Sequence, residues 1–113
     1  MAVSETMTLR VRDILKDYKC LEKKMFRGIS FMLDDKMLVS VGDNELLVRV
    51  LPLEAERYAQ GQGVRPMKMR GKELKGWLFI HESKISNREE LSRWINRALE
   101  YHKHTVKENK SKS

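Results

Sequence analysis

The chain has 113 residues, 41% of them hydrophobic and 35% charged, which suits one folded domain of helices on a sheet and excludes both a second full domain and wholesale disorder. The single cysteine, Cys20, excludes an intramolecular disulfide and a thiolate metal cluster; no apolar stretch is long enough to span a bilayer, and the start has no signal-peptide h-region, so a cytoplasmic location with no membrane partner is expected. The net charge of +7 lies in the second half, where residues 61–113 hold thirteen Lys or Arg against six Asp or Glu while residues 1–60 hold ten of each; this balance favours acidic partners, nucleic acid included.

Met7, Val11, Ile14, Leu15 and Tyr18 recur at helical spacing among Arg10, Arg12, Asp13, Lys16 and Asp17. This predicts an amphipathic first helix of about four turns, capped by Ser4 or Thr6. From Gly28 the period changes to two. Ile29, Phe31 and Leu33, then Met37, Val39 and Val41, then Leu46, Val48 and Val50 alternate, with breaks at Asp34-Asp35 and Gly42-Asp43-Asn44. The pattern is a three-stranded antiparallel meander, with Ser30, Ser40 and Arg49 on its other face.

Pro52 stands where a helix takes its first residue and Gly61 where one stops, which predicts a short helix over Leu53 to Gln60. A second hairpin follows, with Met67 and Met69 alternating against Lys68 and Arg70, a turn at Gly71-Lys72, and LKGWLFI returning. Ser86 and Glu89 are spaced as a capping box, and Leu91, Trp94, Ile95, Ala98 and Leu99 continue as an amphipathic helix. After Lys103 the sequence HTVKENKSKS loses its periodicity. The expected fold is α+β and two-layered: a five-stranded antiparallel sheet with helices packed on one face, in the order α-β-β-β-α-β-β-α. It occupies residues 1–103, with a disordered basic tail over 104–113.

The segments KKMFRGISFMLDDKMLVSV, NELLVRV, MKMRGKELKGWLFI and ELSRWINRALEYHK, in this order, resemble the TfoX N-terminal domain family, over roughly residues 7 to 102 of a single small domain. That family usually shows a Met-Phe-Gly-Gly step entering the first strand; Met25, Phe26 and Gly28 match it, and Arg27 replaces the first glycine. The resemblance implies a two-layer domain related to bacterial regulators of natural competence. Full-length regulators of that kind carry a second, C-terminal domain, so a chain ending in a short polar tail is expected to be a stand-alone member. The match is distributed along the fold and carries no catalytic motif.

Two surfaces are candidates for binding. Lys23, Lys24 and Arg27 beside Phe26 form a basic cluster suited to an acidic protein partner or a phosphate, while Met25 and Phe26 also fit simple packing over the first helix. In the second hairpin Lys68 and Lys75 are expected opposite each other on a face shared with Arg70 and Trp77, an arrangement that attracts single-stranded nucleic acid by charge and stacking. The structural alternative is a solvated outer sheet face with Trp77 half buried.

Catalytic chemistry finds little footing. His102 and His104 are two apart and would diverge on a helix, Cys20 has no base near it in sequence, and Gly61-x-Gly63 lacks a phosphate-cradling helix start. The expectation is a non-enzymatic protein without metal or cofactor, acting as a protein-interaction or regulatory module in transcriptional regulation; the alternative is weak nucleic-acid binding by the second hairpin and the tail. An uncovered sheet face or edge makes a homodimer the expected assembly.

Overall fold

A computed structural model describes residues 4–25 and 28–111, with side chains as far as Thr105, Met25 excepted. The elements run α1 (Glu5–Ile14), β1 (Leu21–Met25), β2 (Gly28–Leu33), β3 (Lys36–Val41), β4 (Glu45–Arg49), α2 (Pro52–Ala59), β5 (Val64–Met69), β6 (Lys72–His81), a 3₁₀ turn (Glu82–Lys84) and α3 (Arg88–Ser111). All strand pairs are antiparallel, in the order β1-β2-β3-β4-β6-β5.

The sheet thus has six strands, where the sequence pattern predicts five. The added strand, LEKKM, is an edge with one neighbour, and Leu21 to Lys24 are exposed, so no buried face imposes apolar alternation on it. At the other edge β5 carries Pro66, which has no N–H to offer a further strand.

Both predicted hairpins form, with turns set by left-handed residues. Asp34 (φ 53°) and Asp35 (φ 65°) link β2 to β3, and Arg70 (φ 54°) and Gly71 (φ 80°) link β5 to β6. Positive φ at both central residues is the type I′ signature, which matches the right-handed strand twist. The second turn therefore sits one residue earlier than Gly71-Lys72.

Register shifts reassign two predicted faces. Phe31 pairs with Val39 but Met32 with Met37, so Leu38 is the extra residue of a β-bulge. Leu38 and Val39 both join the main core, and Met37 is turned to the opposite face. In the second hairpin Lys68 lies opposite Glu73, not Lys75, which replaces the expected like-charge repulsion with an opposite-charge pair. Gly76 (φ 89°) lies in this irregular stretch, and a Cβ there would come within 2.8 Å of the Val50 carbonyl oxygen.

Residues from all three helices fill one core on one face of the sheet: Met7, Val11 and Leu15, then Ala55, then Leu91, Trp94, Ile95, Ala98 and Leu99, against Phe31, Val39, Val41, Leu46, Val48, Leu78 and Ile80. Ser4 caps α1, accepting from the Met7 N–H at 3.2 Å. The helix is ten residues, shorter than expected, because it unwinds into i→i+3 turns at Lys16 and Tyr18 before reversing into β1. Asn87, rather than Ser86, caps α3, its Oδ1 accepting from the Glu90 N–H at 2.8 Å. With no glycine or proline to stop it, α3 stays helical past Lys103 to Ser111.

Candidate interaction surface

The sheet face away from the helices carries a second apolar cluster. Met32, Met37 and Leu47 are buried in it, with Met67, Trp77 and Phe79 packed half-exposed around them. Pairing explains the grouping: Leu47 lies opposite Phe79, and Arg49 opposite Trp77. Ser30 and Ser40 share this face, buried and bonded hydroxyl to hydroxyl at 2.9 Å. Among the described residues, none from a helix belongs to this cluster.

Arginines roof the aromatic side chains. Arg65 lies over Phe79 at 4.4 Å from the ring centroid, and forms a two-pronged ion pair with Glu45, Nε to Oε2 at 3.0 Å and Nη2 to Oε1 at 2.8 Å. Arg49 lies between two rings, 4.9 Å from the centroid of Trp77 and 4.8 Å from that of Tyr101 on α3. Arg97, one turn before Tyr101, lies 4.2 Å from the centroid of Tyr58 and 4.5 Å from that of Trp94, and those two rings meet edge to face. Each stack holds a planar guanidinium in place while leaving its N–H edges for hydrogen bonds.

The sequence-predicted residues are placed as follows. Lys23 lies opposite Ser30 and Lys24 opposite Ile29, so the pleat sends these neighbouring exposed lysines to opposite faces of the sheet; Phe26 and Arg27 lie outside the described residues. Lys68 faces Glu73 across the hairpin and Arg70 occupies its turn. Lys75 and Trp77 line a groove of about 750 Å³ between α2 and the hairpin, along with Leu53, Ala59, Pro66 and Leu74. Lys75 and Trp77 thus meet at one groove, while Lys68 is paired with Glu73 and Arg70 is at the turn, and one side of the Trp77 indole is covered by Arg49.

Among the described residues no three of His, Cys, Asp and Glu are grouped so as to hold a metal ion. His102 is buried and its Nε2 lies 2.9 Å from Asp34 Oδ2, fastening α3 to the β2–β3 turn. Burial, with Glu22 nearby, pushes the Cys20 thiol up from its ordinary pKa, the opposite of what activates a nucleophile. No described helix is long and apolar enough to cross a membrane.

Arg49, Arg97 and Tyr101 are the residues the sequence pattern does not single out. Their contacts join segments far apart in the chain, and each reads in sequence as an ordinary member of a strand or helix; Arg49 in alternation on the outer face is the only local sign.

An antiparallel sheet with three helices on one face and an apolar, arginine-roofed surface on the other defines a small two-layer α+β domain. The TfoX N-terminal domain family matches residues 14–101, and the chain belongs to that family. No curated protein and no solved structure matches it.

Proposed function

We propose that this domain acts by binding a protein partner rather than by catalysis, as a regulatory module in the cytoplasm serving transcriptional control. One observation carries the reading: the Met32–Met37–Leu47 cluster, rimmed by Met67, Trp77 and Phe79, lies on the sheet face opposite the helical core and includes no described helical residue. Apolar side chains framed by arginine and aromatic residues are the composition of interface cores. The arginines held over these rings, 4.4 to 4.9 Å from the ring centroids on this side of the domain, are side chains already set in place, which lowers the ordering entropy a partner must overcome.

A photo-crosslinking residue placed at Phe79 should capture a defined partner in the native cell, and the same residue at Leu9, exposed on α1, should not. Identical capture at both positions, or none at Phe79, would refute the reading.

A further inference from the structure

We infer that Arg49 and Arg97 form a paired carboxylate receptor for an acidic protein segment. The inference rests on the partner-binding reading above and names the partner's chemistry. Trp77, Arg49 and Tyr101 stack in sequence; one turn back along α3, Arg97 stacks against Tyr58 and Trp94. Cations and rings therefore alternate from the outer sheet face, around the end of β4, to the junction of α2 and α3.

Charge separates these two arginines from the others near them. Arg65 is matched by Glu45, Arg93 by Glu90, and Arg57 lies within 3.8 Å of Glu54. Arg49 and Arg97 have no carboxylate within ion-pair distance among the described residues, and both are only partly exposed. A half-buried guanidinium held by rings and lacking a counter-ion gains more from an incoming oxyanion than a solvated lysine does, because its orientation is already fixed and its hydration already reduced.

The oxyanion is assigned to a protein carboxylate. A nucleic acid would use the same rings to stack its bases, but guanidinium planes already occupy faces of Trp77, Tyr101, Tyr58 and Trp94. What remains is the in-plane N–H edge, which suits a two-oxygen acceptor. Two such edges along one stripe select a segment with spaced glutamates or aspartates, and Met67 and Phe79, on the outer face with Trp77, accept an apolar residue at the Arg49 end of it.

The probe is a capped helical peptide with glutamates at i, i+3 and i+4 spacing between leucines, with its all-glutamine counterpart as control. Fluorescence anisotropy should show binding of the glutamate peptide alone, weakened roughly tenfold or more by Arg49→Met and by Arg97→Met. Arg49→Lys, which keeps the charge and the fold but loses the planar fork, should restore the affinity only in part. Equal binding of both peptides, or a glutamate affinity unmoved by Arg49→Lys and Arg97→Met together, would overturn the inference. So would a single-stranded oligonucleotide that displaces the peptide and loses its own affinity in the same variants. If crosslinking from Phe79 persists in the Arg49→Met, Arg97→Met double variant while peptide binding shows no carboxylate preference, this inference fails and the broader reading stands; if the Phe79 crosslink is absent, the broader reading fails.

Discussion

Gly28 stands where the chain enters the second strand, and a Cβ there would lie 2.0 Å from the Val41 carbonyl oxygen across the sheet. Backbone cannot give way as a flexible side chain can, so Gly28→Ala must push β2 from β3. We expect a loss of about 1–3 kcal/mol or more, read as a lower urea midpoint at unchanged slope. Gly71→Ala is the informative contrast: nothing lies within 4 Å of its would-be Cβ, leaving only the strain of its positive φ and hence a smaller loss. The sequence marks Gly28 as a strand entry, but the neighbouring carbonyl that demands glycine comes from a strand whose register the sequence leaves open. Arg49 is a similar case. Its place in an alternating strand is plain, whereas the rings that clamp it arrive from β6 and α3.

Among the elements, the helices are the most legible, because period 3.6 records a buried stripe whatever packs against it. The exact cap is less so: Ser86 and Glu89 satisfy the capping-box spacing, yet Asn87 makes the bond. Asn87→Ala should therefore lower stability by about 1 kcal/mol while Ser86→Ala leaves the thermal midpoint unchanged, and the reverse ranking would restore the capping box. Edge strand β1 escapes periodicity because it has no buried face, and the bulge at Leu38 escapes it because one extra residue inverts the alternation before it. Helix α1 is tied down electrostatically as well as by packing. Hydrogen bonding to Arg88 holds the Asp13 carboxyl below the usual range, and hydrogen bonding to Arg12 does the same for Glu22. A carboxyl depressed in the folded state favours folding above its ordinary pKa, and that contribution is lost as pH falls through the depressed value. Both pairs are exposed and their effect is small and salt-sensitive, so acidification should lower the amide protection factors of α1, taken relative to the intrinsic exchange rate at each pH, before those of the central strands. Asp13→Asn with Glu22→Gln should abolish that difference; an equal loss of protection in α1 and in the central strands would refute the assignment.

At the scale of the whole molecule, two layers, one sheet and three helices follow from local pattern, while the binding surface depends on pairings between distant segments. His102 and Asp34, 68 residues apart, show why: neither residue type nor spacing announces a contact that closes the far end of the helical layer onto a hairpin turn. The sheet's two borders also differ in kind. Among the described residues β1 has no strand on its outer side, where the charges of Glu22, Lys23 and Lys24 stand along it, whereas β5 is interrupted by Pro66 and its register shift. A sheet with two open borders can add neighbours without end; one with a single open border has a valence of one. Any strand-to-strand union of two such domains through β1 consumes the growth point of both, so it terminates as a closed pair and cannot propagate into a fibre.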